Sequence, residues 1–102
     1  MAQFDVYKNP RGGTFPLLLD VQSEVLARLA TRIVVPLTTP KRYGAKPISR
    51  LNPTATVSGV AYVLVFQEMA GIPASSLVQR IGSLADRRAE LLAALDLLFT
   101  GI

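Results

Sequence analysis

The chain has 102 residues, half of them hydrophobic, a net charge of +4, and neither cysteine nor histidine. This length allows one domain with a thin core, and the apolar composition argues against extensive disorder. The absence of cysteine and histidine excludes disulfides, thiolate chemistry and Ser–His or Cys–His nucleophile pairs. It also leaves zinc without its usual ligands. We therefore expect no catalytic residue, no metal and no cofactor, and a protein that binds other proteins rather than an enzyme.

The positive charge is uneven along the chain. Residues 1–50 hold eight Lys/Arg and three Asp/Glu, whereas residues 51–102 hold three Lys/Arg and four Asp/Glu. A basic half favours an acidic partner, although ordinary solvated charge explains it equally well. No apolar run approaches the ~20 residues that span a bilayer, and the first residues do not resemble a signal peptide. We expect a cytoplasmic protein without a membrane partner, with which the lack of cysteine is compatible.

Apolar patterning predicts three strands in the first half of the chain. Residues 4–7 alternate, residues 15–21 contain three consecutive leucines, and residues 31–37 are rich in β-branched side chains. Proline and paired glycines within residues 8–13 predict a turn. Residues 22–30 are ambiguous between a short helix and a loop, because their apolar residues have helical spacing but the segment is short.

The second half opens with the longest polar stretch, residues 38–53, which we predict to be an exposed basic loop. It lacks any known nucleic-acid-binding motif, so direct nucleic-acid binding is not expected. Residues 54–57 and 60–66 flank a Ser-Gly pair and predict a hairpin. Residues 69–73 lead into a turn, and residues 76–81 are a candidate last strand. The cations of the basic stretch are Lys41, Arg42, Lys46 and Arg50.

The C-terminal segment predicts an amphipathic helix. Ser83 and Asp86 resemble a capping box at its start, and Gly101 is the residue expected just after its end. Strands first and a helix last indicate a single α+β domain over residues 1–102, antiparallel or barrel-like. Arg87, Arg88 and Glu90 take the outer face of the predicted helix. The apolar face holds Leu84, Leu91, Leu92, Leu95, Leu98 and Phe99.

Carboxylate pairs are the remaining route to acid–base catalysis. Asp86 and Glu90 share a helix face, but two arginines lie between them, so a solvated surface is the better interpretation. Asp20 and Glu24 have no partner in the sequence. We therefore predict no carboxylate catalysis either.

The sequence ends in an apolar helix, which allows two interpretations of equal weight. In one, Gly101 caps the helix and Ile102 folds back onto Leu97. In the other, the tail projects into a groove on a partner. A symmetric dimer would also bury the surplus leucine surface of the helix.

Several short segments, in order and without obvious gaps, resemble one protein family. They are QF and VY at residues 3–7, LDVQS at 19–23, RIVVPL at 32–37, MAGIP at 69–73 and FTGI at 99–102. Each segment alone is weak, but their order and spacing are specific. Together they resemble the CcdB toxins of bacterial toxin–antitoxin modules.

The resemblance implies a five-stranded antiparallel sheet of SH3-like barrel type, a smaller strand extension, a C-terminal helix and a homodimer. CcdB toxins bind the A subunit of DNA gyrase and trap its cleaved-DNA complex. An acidic antitoxin neutralises them, they are not enzymes, and plasmid maintenance is an implied role. The basic first half of this chain fits an acidic partner.

The resemblance also assigns candidate site residues. For Val25, Leu26, Ile72 and Leu98, packing in the core is the competing interpretation. The implied gyrase-binding residues are Thr100, Gly101 and Ile102. The implied antitoxin-binding residues are Val25, Leu26, Asp96 and Phe99, and the implied dimer-interface residues are Met69, Ile72 and Leu98.

One position departs from the family pattern, because Thr100 stands where the family has tryptophan. Losing an aromatic anchor can cost about 2 kcal/mol or more of binding energy. Gyrase poisoning is therefore expected to be weakened or altered. For a family member, the alternatives are a homologue that binds antitoxin but no longer poisons gyrase, a member with another contact pattern, and a member with a different target. Outside that role, they are a basic-loop nucleic-acid binder and a ribonuclease that uses carboxylate or arginine chemistry.

Overall fold

The computed structural model describes residues 2–101 and contains one curled antiparallel sheet, a half-barrel, with a helix at its C-terminal end. The predicted α+β class is confirmed. The helices are α1, Pro40–Tyr43, and α2, Arg88–Thr100. The strands are β1 (Asp5–Lys8), β2 (Leu17–Asp20), β3 (Thr31–Thr38), β4 (Thr54–Val57), β5 (Val60–Leu64), β6 (Ala70–Pro73) and β7 (Arg80–Ser83).

The strands follow the order β4-β5-β3-β2-β1-β7, and β6 pairs with the first half of β3. The sheet of the described residues therefore has seven strands, compared with the five strands and a smaller strand extension that the family resemblance implies. Residues 69–73 lead into a turn as predicted, the 3₁₀ turn Ala74–Ser76, but Ala70–Pro73 is itself a strand that forms a ladder with β3. The last strand is Arg80–Ser83 rather than residues 76–81, and Ser76 still belongs to the 3₁₀ turn.

Both faces of the sheet are covered, which explains the continuous leucines of β2. Leu17 and Leu19 point into a main core that also receives Leu91 and Ala94 from α2. Leu18 points into a second, smaller cluster on the opposite face. The side chains of β3 also alternate between the two faces of the sheet, and those of the odd-numbered residues face α2.

The start of the last helix differs from the prediction. Ser83 pairs with Asp5 as the last residue of β7, so strand pairing fixes its backbone. Its Oγ accepts a hydrogen bond of 3.1 Å from the Ala85 N–H, and a 3₁₀ turn, Ala85–Arg87, precedes α2. The predicted capping box of Ser83 and Asp86 is therefore wrong, and Leu84 packs in the core from outside the helix.

The last helix ends as predicted, with Gly101 as its C-terminal cap. Gly101 has a φ of +78° and donates its N–H to the Leu97 oxygen at 3.1 Å. A left-handed backbone of this kind favours glycine. The inner-face prediction fails for Phe99, which is 70% exposed, because the last turn of α2 extends past the core.

The basic loop, predicted over residues 38–53, spans residues 39–53 because Thr38 is the last residue of β3, and it contains the short helix α1. Thr39 accepts from the Arg42 N–H with its side chain, Pro40 begins the helix and Gly44 ends it in the left-handed region. Apart from the partly buried Tyr43, the residues from 40 to 50 are exposed, as predicted. Within residues 2–101 no helix is long and apolar enough to cross a membrane.

Candidate protein-binding surfaces

The ambiguous segment before β3 is an exposed loop, which we call the apolar loop (residues 23–30). Every residue in it is exposed, and its only helical element is the 3₁₀ turn Glu24–Leu26. Val25 is 90% exposed and Leu26 is 48% exposed. Core packing therefore does not account for either side chain. Clustered apolar side chains in water are typical of a surface that another molecule covers.

Hydrogen bonds, rather than buried side chains, hold the apolar loop against the sheet. The Ser23 Oγ accepts from the Val25 N–H at 3.2 Å. The backbone N–H of Gln3 donates to the Glu24 carboxylate at 3.3 Å, and the Gln3 side chain donates to the Val21 oxygen at 3.1 Å. The loop is thus tied to the start of the chain.

A buried ion pair behind the apolar loop is absent from the sequence predictions. Two guanidinium nitrogens of Arg32 donate to one oxygen of Asp20, at 2.9 and 2.5 Å, and both side chains are 0% exposed. The other oxygen of Asp20 accepts the backbone N–H of Gln22 at 3.0 Å. Asp20 faces Val34 across the β2–β3 ladder, so Arg32 is two residues away along β3. Strand register would have indicated this partner.

The end of α2 forms a second exposed surface. Asp96, Phe99, Thr100 and Gly101 are all exposed. The Thr100 hydroxyl donates to the Asp96 backbone oxygen at 2.6 Å, so its polar group is occupied within the helix. Ile102, predicted as part of the gyrase-binding tail, lies outside the described residues.

The two predicted halves of the antitoxin surface lie at opposite ends of α2. Val25 lines a cleft together with Ala85 and Arg88, next to the first turn of the helix. Phe99 follows Arg88 by eleven residues, or about 16 Å along the helix axis. Within one chain, the structure therefore does not bring Val25 and Phe99 together.

The predicted dimer residues also divide between two places. Met69 packs against the main core, whereas Ile72 packs against the cluster on the opposite face of the sheet. Leu98 is half-buried on α2. Ile33, which the sequence analysis did not single out, is 38% exposed and lies against Gly71 on the helix side of the sheet. The alternation of β3, with Val35 and Leu37 on that side, would have indicated it.

The charged groups of the described residues form ion pairs but no metal-binding cluster. No group of three potential ligand residues occurs within residues 2–101. Glu90 pairs with Arg87, in agreement with a solvated helix surface. Arg80 pairs with Asp5 at 3.1 Å. Burial raises the pKa of Tyr7 above its usual value of 10.0, and the negative charges of Asp5 and Asp20 raise it further.

A small half-barrel that exposes apolar side chains at a loop and at a helix end is a protein suited to act through contact surfaces. A family model described as CcdB protein matches residues 3–101 of this chain. The chain therefore belongs to the CcdB family, as the sequence resemblance predicted. The family consists of toxins of toxin–antitoxin modules.

Proposed function

We propose that this chain is a toxin that binds the A subunit of DNA gyrase and traps the gyrase–DNA cleavage complex, and that an acidic antitoxin neutralises it. The proposal is supported chiefly by the family match over residues 3–101. In this proposal the chain acts as a single domain in the cytoplasm, without catalysis and without direct nucleic-acid binding. Its gyrase contact is the tail formed by Thr100, Gly101 and Ile102.

A second candidate function rests on Thr100. This residue has no ring to stack on a partner, and its hydroxyl already bonds to the Asp96 oxygen. The alternative is therefore a CcdB homologue that binds antitoxin but has lost gyrase poisoning. The two functions differ in whether the tail contributes binding energy to gyrase.

The two candidate functions can be distinguished with the purified chain. It is assayed for inhibition of gyrase supercoiling and for stabilised cleavage complexes. Inhibition supports the first function, and none at high concentration rejects it for this chain. The Thr100→Trp variant should strengthen gyrase binding by roughly tenfold or more if the tail is the contact. Thr56→Trp, at an exposed position on β4, is the matched control and should have no effect.

We propose that the antitoxin contacts Val25 and Leu26 together with Asp96 and Phe99. The exposure of Val25 makes its replacement harmless to the fold, so Val25→Asp should weaken antitoxin binding without lowering stability. Val78 is the matched control, because it is 83% exposed and lies outside the apolar loop. Equal effects of Val25→Asp and Val78→Asp on affinity would contradict this assignment.

We propose that a homodimer forms through contacts of Met69, Ile72 and Leu98, with Ile33, on the helix side of the sheet, as an added contact. A symmetric interface would cover Ile33 on both copies. Ile33→Asp should then shift sedimentation velocity profiles towards the monomer at micromolar concentration. Ile48→Asp, at another exposed isoleucine, should leave the profile unchanged. A native chain that sediments only as a monomer would reject the dimer.

A further inference from the structure

The apolar loop presents its side chains to solvent, and none of its residues is buried. A loop without buried side chains gains little from the hydrophobic effect and needs other contacts to hold one conformation. The residue directly before the loop, Gln22, supplies such contacts from the protein interior, since it is only 7% exposed.

The Gln22 side chain joins the 3₁₀ turn of the apolar loop to β3. Its amide nitrogen donates to the Leu26 backbone oxygen at 2.9 Å. Its amide oxygen accepts the backbone N–H of Ile33 at 3.1 Å. One bond thus fixes the end of the 3₁₀ turn, and the other fixes that turn to β3.

The ion pair behind Gln22 orients it. Asp20 receives the Gln22 backbone N–H on one oxygen and the Arg32 guanidinium on the other. Both members of that pair are fully buried, so their geometry is rigid. A continuous chain of hydrogen bonds therefore runs from Arg32 through Asp20 and Gln22 to the backbone that carries Val25 and Leu26.

We propose that Gln22 is a positioning residue for the apolar loop: its side-chain amide holds the loop in the conformation that directs Val25 and Leu26 into solvent, ready for a protein partner. The consequence for binding rests on the proposed antitoxin surface. The consequence for loop order does not.

Only a primary amide of this length satisfies both contacts, since it offers a donor and an acceptor on one planar group. A methionine has the same length and offers neither. A glutamate keeps an acceptor for Ile33 but has no donor for the Leu26 oxygen when it is ionised. Methionine therefore removes both hydrogen bonds, whereas glutamate removes only the bond to the Leu26 oxygen.

Amide hydrogen exchange, measured by NMR in the full chain, tests loop order without any partner. The N–H groups of Leu26, Ala27 and Leu29 donate to backbone oxygens within the loop and report on it. In Gln22→Met, their exchange should accelerate about tenfold more than that of amides in the β2–β3 ladder, which report on overall stability. An equal change in loop and ladder, or no change, overturns the proposal.

Gln67→Met is the matched control. The Gln67 amide also bridges two polar groups, Asn52 and the Tyr43 hydroxyl, but it does so beside the basic loop. It should leave the exchange of the apolar loop unchanged, and selective acceleration there would contradict the assignment to Gln22. In Gln22→Glu, the loop amides should accelerate while the Ile33 amide stays protected. Loss of protection at Ile33 alone would overturn the proposed division of the two bonds.

Affinity for the cognate antitoxin, measured by calorimetry, tests the consequence for binding. A loop that must be ordered on binding loses affinity, so Gln22→Met should bind about tenfold more weakly. A second substitution that restores the protection of the loop amides in Gln22→Met should also restore the affinity for the antitoxin. Accelerated exchange with unchanged affinity would leave Gln22 as the anchor of the loop and reject the loop as the antitoxin surface.

Discussion

The apolar loop and the basic loop lie at opposite ends of β3, roughly 26 Å apart along that strand. The apolar loop ends where β3 begins, and the basic loop starts where β3 ends. Both are exposed, and each is held by a buried side-chain amide. Gln22 holds the first, and Asn52, only 4% exposed, holds the second.

The contacts of Asn52 parallel those of Gln22. Its amide nitrogen donates to the Leu64 backbone oxygen of β5 at 3.2 Å. Its amide oxygen accepts the Ile48 N–H at 3.0 Å and the Tyr43 hydroxyl at 3.1 Å. A strand backbone is thus joined to a loop backbone by a single amide, as at the other end of β3.

The side chains that the two loops expose have different chemistry. The apolar loop presents Val25, Leu26 and Leu29, while the basic loop presents four cations and no carboxylate. Buried amides fix the backbone of each loop, whereas Val25, Lys41 and Lys46 present their side chains to solvent. Loop conformation and loop chemistry can therefore be changed separately, and the predictions below do so from the largest effect to the smallest.

Asp20→Asn should produce the largest loss of stability. The substitution leaves the Arg32 guanidinium buried without its counter-ion, which typically costs about 3–5 kcal/mol of unfolding free energy. Urea unfolding measures this loss. Arg80→Met removes an arginine that is 54% exposed from its pair with the buried Asp5 and should cost less, about 1 kcal/mol. Similar losses in both variants would show that the buried pair does not anchor the apolar loop as described.

Asn52→Leu should loosen the basic loop and leave the apolar loop ordered. Several buried polar groups lose their partner, so we expect a loss of about 2–3 kcal/mol in urea unfolding. Limited trypsin digestion should cut faster after Arg50, within the basic loop. Cleavage after Arg28, in the apolar loop, is the internal control and should not accelerate beyond the overall loss of stability.

The charges of the basic loop should affect how fast an acidic antitoxin associates. In a variant that combines Lys41→Glu and Lys46→Glu, stability should stay within about 0.5 kcal/mol of the native value, because both side chains are exposed. The association rate should fall several-fold at low salt, and the difference should vanish at high salt. Val25→Asp should instead raise the dissociation rate, whatever the salt concentration.

The sequence predicted the class of the fold and the basic loop, left the apolar loop ambiguous between a short helix and a loop, and did not predict what holds either loop. Exposure of the basic loop followed from its composition, and β3 followed from its β-branched residues. Asp20 and Arg32 are twelve residues apart, and only the register of β2 against β3 brings them together. Ser83 failed as a helix cap for a related reason, because its pairing with Asp5 is set by residues far along the chain.

Tyr7 offers the smallest effect and a spectroscopic reporter for the apolar-loop anchor. Burial and the charges of Asp5 and Asp20 raise its pKa above 10.0, whereas the unfolded chain titrates near that value. Above pH 10 the native state therefore holds a proton that the unfolded state releases, and stability falls as pH rises towards the folded pKa. Tyr7→Phe removes this contribution, so its unfolding free energy should fall less steeply with pH in this range.

Alkaline difference absorbance of the phenols tests the same group directly. The phenol transition that burial and the carboxylate charges raise above pH 10 should disappear in Tyr7→Phe. In Asp20→Asn the same transition should move to lower pH, because one of the charges that opposes ionisation is gone, while Asn52→Leu should leave it in place. A transition that responds to Asn52 and not to Asp20 would mean that the two anchors are not independent, and the comparison of the two loops would fail at that point.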